Sequence, residues 1–142
     1  MKFSALSAAL ATGLALSGCA VPAPLPALDT PGAQALLAMP LPEYGARIRL
    51  ARQIAADCGR YAYNDQMQVA VGAARPDTAG GSLEALRQRG GIDVATDVAT
   101  RSFQARHRVT VGASDLCAAG DAEFAEGSPI GVLLVQARRP GG

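Results

Sequence analysis

The N-terminal segment constrains this chain most, because it decides which residues are left to fold. One cation, Lys2, precedes an apolar run from Phe3 to Leu16, which is the layout of a secretory signal peptide. Removing residues 1–18 would leave residues 19–142, which is enough for one small domain. The apolar run is shorter than the roughly 20 residues that span a bilayer. We therefore expect an exported domain that does not cross the membrane.

The signal segment closes on Leu16-Ser17-Gly18-Cys19, and this sequence resembles the lipobox of bacterial lipoproteins. In that family the cysteine is acylated, with palmitate as a typical chain, and becomes the N-terminus of the mature protein. The resemblance implies a lipid on Cys19 that anchors the domain on the periplasmic side of a membrane. Ala20 is similar to the residue found in lipoproteins sorted to the outer membrane, which favours that membrane slightly over the inner one. The alternative is an ordinary signal peptide that ends beside a cysteine.

The composition is rich in small residues and poor in aromatic ones. Alanine supplies 30 residues, tryptophan is absent and aromatic residues make up 4% of the chain. Such a chain builds a core of closely packed helices more readily than a bulky ligand pocket. Lys2 is the only lysine, so 12 arginines balance 12 acidic residues beyond the signal segment. A formal charge near zero argues against a nucleic-acid binder.

Prolines mark the boundaries of the exported part. Four prolines occur between Ala20 and Pro31, and this spacing favours an extended polyproline II tether. We expect a lipidated, proline-rich linker over residues 19–42, a helical domain over residues 43–137, and a flexible tail over residues 138–142.

Apolar residues spaced three and four apart predict helices through most of the chain. Asn64, Ser114 and Ser128 precede such patterns as candidate N-caps, and Ser128 is followed by a proline. The predicted helices of the domain cover residues 43–58, 64–74, 92–107, 115–126 and 128–137, and two shorter segments, 32–39 and 83–89, carry weaker patterns. The only β-like stretch, residues 109–112, is too short to count. The sequence thus predicts an all-α bundle of four to five short helices.

Two glycines lie inside predicted helices, where each costs about 1 kcal/mol relative to alanine. They are Gly120 and Gly131, and we expect them to mark a close crossing of the last two helices.

Cys58 and Cys117 each end or begin a predicted helix. In an oxidising compartment such a pair is most simply a disulfide. The alternatives are a metal site and a reactive thiol. Metal ligands normally cluster, and the lone His107 cannot complete a set of four. A catalytic cysteine needs a base, and no motif supplies one. We therefore predict a Cys58–Cys117 disulfide, with no metal and no cofactor.

Two blocks of sequence around these cysteines carry a family resemblance. They read Ile54-Ala55-Ala56-Asp57-Cys58, with Met67 nine residues on, and Cys117-x-x-Gly120-x-x-Glu123-Phe124-x-x-Gly127-Ser128-x-Ile130-Gly131-x-Leu133-Leu134. The pattern is similar to that of small exported alphaproteobacterial proteins grouped as the domain of unknown function DUF5333. The stretch from Arg75 to Arg106 departs from the pattern. The resemblance implies a helical fold and the cysteine pairing, and it brings no catalytic residues.

Three basic side chains, Arg106, His107 and Arg108, form a candidate contact patch for a lipid phosphate or an acidic partner surface. The alternative is a solvated helix end whose charges suit the helix dipole. Tyr61 and Tyr63, together with Phe103, are candidates to line a ligand groove.

Catalytic motifs do not occur in the sequence. Glu123 and Glu126 are three apart on one predicted helix and are expected to face outward, which does not suit the carboxyl pair of a glycosidase. A nucleophile elbow, a phosphate loop, a dinucleotide fingerprint and a zinc-protease motif are all lacking. The sequence therefore gives no reason to expect an enzyme.

Two hypotheses follow. The first is a non-enzymatic, periplasm-facing lipoprotein that acts as an accessory or interaction subunit of an envelope complex and has a protein partner. The second is a binding module for a small ligand or a cell-wall fragment. A flat apolar patch would favour the first hypothesis, and a concave pocket lined by aromatic residues would favour the second.

Overall fold

The structure is a computed structural model that describes residues 24–78 and 90–137. In chain order these residues form α1 Pro31–Ala38, α2 Leu41–Asp57, β1 Tyr61–Tyr63, α3 Asp65–Ala74, α4 Ile92–His107, α5 Cys117–Glu126 and β2 Leu134–Gln136. Single turns of 3₁₀ helix occur at Pro76–Thr78 and Gly131–Leu133. Helix predominates, so the predicted all-α class is confirmed. The predicted signal segment, Cys19, the pattern at residues 83–89 and the predicted tail lie outside the described residues.

The core forms mainly between α2 and α4, which contact each other more extensively than any other pair of elements. Tyr44, Leu50 and Ile54 of α2 are buried, as are Ala99 and Phe103 of α4. Fully burying an aliphatic or aromatic side chain of this kind contributes about 1.5–3 kcal/mol to folding. The predicted bounds of α4 are confirmed, and α2 begins two residues earlier than predicted.

The short helix α1 is part of the folded body, because Ala33 and Leu36 are completely buried. Arg75, at the end of α3, holds the C-terminal end of α1. The guanidinium donates hydrogen bonds to the carbonyl of Leu36 and, over 2.8 Å, to the carbonyl of Met39. It also pairs with Asp77. These contacts tie α1 to α3, so residues 31–38, which the predicted boundary placed in the linker, pack on the helical domain.

Cys58 and Cys117 form a disulfide, and their Cα atoms are 5.0 Å apart. This confirms the predicted pairing. The bridge joins the end of α2 to the first residue of α5. Ser114 does not cap α5, because its Oγ accepts from the backbone of Thr110, and the helix begins at Cys117 instead of Asp115.

The predicted last helix over residues 128–137 is wrong. Ser128 does start a turn, since its Oγ accepts from the backbone N–H of Gly131 over 3.0 Å. The turn ends at Leu133, and Leu134–Gln136 then pairs antiparallel with Tyr61–Tyr63, so that Tyr63 lies opposite Leu134. Pairing with a distant strand satisfies backbone groups that a continuing helix would have used.

The predicted crossing of two helices at Gly120 and Gly131 is wrong, although each glycine does mark a close approach. A Cβ at Gly120 would lie 2.9 Å from Cγ2 of Ile54. A Cβ at Gly131 would overlap the carbonyl oxygen of Glu123. The glycines therefore let α5 approach α2 on one side and let the final turn approach α5 on the other.

None of the helices within residues 24–78 and 90–137 combines the length and the apolar character needed to span a membrane.

Candidate functional site

A groove of about 680 Å³ lies between the start of α2 and the outer side of α4. Val94 and Val98 form part of its wall, with 69% and 62% of their surfaces exposed. They are the most exposed large apolar side chains among the described residues. One turn of helix separates them, so they form a continuous apolar strip. The groove is neither the flat patch nor the aromatic-lined pocket that the two hypotheses predict, but exposed apolar groups of this kind are typical of a contact surface.

The opposite wall of the groove begins with prolines. Pro40 precedes α2 and Pro42 lies in its first turn, where the backbone N–H groups have no acceptor within the helix. Proline is tolerated there and places an apolar ring on the surface. The groove is lined by Pro40, Pro42, Glu43, Arg47, Gly91, Val94, Ala95, Val98, Ala99 and Ser102.

A smaller pocket of about 110 Å³ lies further along α4, and we call it the Arg47 pocket. It shares Arg47, Ala99 and Ser102 with the groove. Phe103 and Ile130 are buried and form part of its floor. The groove and the Arg47 pocket are therefore neighbouring parts of one surface.

Glu123 also lines the Arg47 pocket, and its side chain is buried. Its Oε1 accepts from Nε2 of His107 over 2.7 Å and from Nη1 of Arg106 over 3.2 Å. Its Oε2 accepts from the hydroxyl of Ser128. The prediction that Glu123 faces outward is wrong, because its carboxylate is buried. The three donors compensate the free-energy cost of removing this charge from water.

This cluster is arranged for structure and not as a catalytic triad. In a triad the histidine contacts the nucleophilic hydroxyl and a carboxylate orients the histidine. Here the hydroxyl of Ser128 and the ring of His107 both point to Glu123. The carboxylate consequently joins the end of α4 to α5 and to the turn after it.

The predicted basic patch is divided by these contacts. Arg106 and His107 are engaged with Glu123, whereas Arg108 ends α4 in the left-handed conformation, with φ 54°, and has an exposed side chain. The three side chains therefore do not act as one solvated cluster.

The aromatic side chains expected to line a ligand groove together each contact different partners. Tyr61 is buried, its ring centre lies 5.4 Å from that of Phe124, and its hydroxyl donates to Asp121. The hydroxyl of Tyr63 donates to Gln68 over 2.8 Å. Phe103 packs against His107 in the α4 core.

All three tyrosines of the chain are held in the protonated form. Burial raises the pKa of Tyr63 to about 12, against the lowering effect of Arg52 beside it. Burial also raises the pKa of Tyr44 and that of Tyr61, and the hydrogen bond to Asp121 acts in the same direction on Tyr61. These hydroxyls act as hydrogen-bond donors at neutral pH.

Sequence reasoning missed the groove, although a signal was present. Val94 and Val98 lie on the side of α4 away from Ala99 and Phe103, the side that the pattern assigns to solvent. Two large apolar residues on a predicted outer face could have identified the surface. No local sequence pattern identified Arg47 as part of this surface, because its position depends on how α2 and α4 pack.

Within the described residues, there is no group of three or more histidine, cysteine, aspartate or glutamate side chains that could hold a metal ion.

Comparisons with protein-family models, with curated proteins and with solved structures found no match to this chain. The similarity to DUF5333 accordingly stays a prediction that rests on the residues quoted above.

Proposed function

We propose that this chain is a non-enzymatic lipoprotein, held on the periplasmic side of a bacterial membrane by a lipid on Cys19. Its domain would act as an interaction subunit of an envelope complex. The outer membrane is slightly favoured over the inner one as the location of the anchor. The sequence Leu16-Ser17-Gly18-Cys19 supports the anchor. Kinship with DUF5333 is part of the same proposal.

The single observation that carries the interaction role is the exposed pair Val94 and Val98 in the groove between α2 and α4. Within the described residues, no side chain covers them. Burying a valine against a partner contributes about 1.5 kcal/mol or more, so two adjacent valines favour association. An anchor would also confine the domain near partners in the same membrane and raise their effective concentration.

The test is site-specific photo-crosslinking in cells. A photoreactive amino acid replaces Val98 in one strain and Val69 in another. Val69 is the matched control, because it is a valine on another helix, α3, and is 58% exposed. We expect the probe at position 98 to form a discrete crosslink to one envelope protein, and the probe at position 69 to form none.

A second pair of variants checks the same surface without a crosslinker. Val98→Asp places a charge in the groove and should reduce co-purification of the crosslinked partner at least tenfold, because burying an unpaired charge is costly. Val69→Asp should leave co-purification unchanged. Equal crosslinking from both positions, or none from position 98, would contradict the proposed function.

A further inference from the structure

The groove and the Arg47 pocket form one continuous surface, which we call the trough. The two parts share Arg47, Ala99 and Ser102, so no wall separates them. The trough is apolar at Val94 and Val98. It becomes positively charged further along α4, where Arg47 and Arg106 line it. A ligand that fills it would therefore be apolar along its length and anionic at one end.

Arg47 supplies the cation that the anionic end requires. Its guanidinium has no hydrogen-bond acceptor and no ion-pair partner within residues 24–78 and 90–137. Other arginines of these residues, such as Arg49 and Arg75, are paired. Arg47 is half-buried and lines both cavities, and no acceptor in the described part of the chain engages its donors, so they can bind a ligand there.

The other charges of the pocket do not cancel Arg47. The carboxylate of Glu123 already accepts from His107, Arg106 and Ser128. Arg106 reaches it with one nitrogen, Nη1, and a guanidinium has five N–H donors. Two cations and one compensated carboxylate leave the pocket positive, and it suits a single carboxylate.

The length of the trough suits a short extended peptide. From Val94 to Arg106, α4 rises by about 18 Å at roughly 1.5 Å per residue. An extended chain covers that distance in about five residues at roughly 3.3 Å each.

The apolar end favours a peptide over a fatty acyl chain. Glu43 lines the trough beside Pro40 and Pro42. The methyl end of an acyl chain lying there would remove water from the Glu43 carboxylate and offer no hydrogen bond in return. A peptide presents backbone N–H groups, which can donate hydrogen bonds to this carboxylate.

We propose that the trough binds the C-terminal tail of a partner protein, with about five small apolar residues along Val94 and Val98 and the terminal carboxylate at Arg47 and Arg106. This inference rests on the proposed function and names the chemistry of the partner. The carboxylate belongs to a chain end because Phe103, Glu123 and Ile130 close the floor of the Arg47 pocket, which is small. A peptide that ends in the Arg47 pocket needs no exit through its floor.

The test uses the full chain in nanodiscs of zwitterionic lipid, immobilised on a surface. The probe is a library of N-acetylated pentapeptides with alanine, valine, leucine or isoleucine at each position. One set has a free C-terminal carboxylate, a second is amidated, and a third is amidated with aspartate at the last position. Retained peptides are identified by mass spectrometry, and their dissociation constants are measured with and without lauric acid as a competitor.

We expect free acids to bind at least about tenfold more tightly than the matching amides, since a charge-assisted hydrogen bond has that effect. Arg47→Gln should abolish this difference. Arg49→Gln, on the same helix and paired with Asp93, should preserve it. The Arg47 variant should melt at the temperature of the native chain, because no described residue depends on the Arg47 guanidinium.

Several results would overturn the inference. The first is that acids and amides bind equally well, and the second is that amidated aspartate peptides bind as well as free acids. The third is that lauric acid displaces the peptides at a lower concentration than another peptide does. The fourth is that no peptide is retained. Each of these can occur while the crosslink at position 98 still forms, in which case the proposed function stands. Loss of that crosslink would instead remove the proposed function itself.

Discussion

His107 and Glu123 form a buried pair in which Nε2 of the imidazole lies 2.7 Å from Oε1 of the carboxylate, and only 9% and 1% of the two side chains are exposed. The pair joins the last turn of α4 to the middle of α5. Because Ser128 donates to the second oxygen of the same carboxylate, one side chain fixes three segments of the chain.

Glu123→Gln should destabilise the domain by about 2 kcal/mol, as expected for lost hydrogen bonds to a charged group. The amide replaces one acceptor oxygen by a donor, so at least one of the three donors around it loses its partner. Urea denaturation measures the change. Glu126→Gln, exposed on the same helix, is the control and should shift stability by less than about 0.5 kcal/mol. Equal effects of the two variants would contradict the role of the buried carboxylate.

Arg75→Met should destabilise the domain by about 2–3 kcal/mol, because it removes a buried guanidinium that donates hydrogen bonds to backbone carbonyls and pairs with the half-buried Asp77. The methionine keeps part of the aliphatic stem. It removes the guanidinium that lies 4.8 Å from the ring centre of Tyr44, and it leaves the carbonyls of Leu36 and Met39 without donors. Hydrogen exchange followed by mass spectrometry should show faster exchange in α1 than in α4. Arg101→Met is the control, since Arg101 forms an exposed pair with Asp97 on α4. Uniform acceleration across all helices would argue against a local role.

Reducing the Cys58–Cys117 disulfide should destabilise the domain by about 4 kcal/mol, because the bond closes a long loop with a sequence separation of 59. The double variant Cys58→Ser with Cys117→Ser should unfold at the same urea concentration as the reduced protein. Labelling with a thiol reagent should find neither cysteine free in native protein. A double variant as stable as the oxidised chain would show that the cross-link contributes nothing.

The tyrosine hydroxyls should lose their protons at a higher pH in the folded chain than in the unfolded chain. Tyrosinate absorbance should develop mainly above pH 10 in native protein, with a step near pH 12 that Tyr63→Phe removes. In urea the same absorbance should develop around the ordinary value of 10. Since folding raises these pKa values, their contribution to stability is complete below pH 10 and is lost as the pH rises through the folded values. A native titration that matches the unfolded one would disprove the raised pKa values.

Cys19→Ala should abolish incorporation of a clickable palmitate analogue and leave the precursor uncleaved. The proposed lipobox predicts both effects, because in it the acyl acceptor and the residue after the cleavage site are the same cysteine. In-gel fluorescence and the apparent mass of the chain measure them. Acylation that persists in the variant would contradict the lipid anchor, whereas the urea midpoint of the domain should not change.

Local signals predicted α4 and α3 well. Asn64 caps α3 by accepting from the backbone N–H of Met67, three residues away, and the apolar spacing of α4 is complete within its own residues. Such contacts depend on neighbours in sequence, which a pattern records.

Distant contacts account for the errors. Glu123 is buried because His107 and Ser128 meet it from two sides. Leu134 is extended because Tyr63 offers an antiparallel partner far back in the chain. The apolar run that contains Leu134 suits a helix or a strand equally, and only the packed structure decides between them. The same holds for Arg47, whose lack of a partner within the described residues is a property of the assembled helices.

The position of the disulfide determines how the domain would respond to mechanical force. The proposed lipid anchor on Cys19 would pull on the residues before Pro31, and α1 and α2 both precede Cys58. Tension between that end and β2 would pass from Cys58 directly to Cys117, so β1, α3 and α4 would carry no load along the chain. Extension would therefore first detach α1, where Arg75 forms a reversible, non-covalent link. The covalent bridge would then limit how far the chain could unravel.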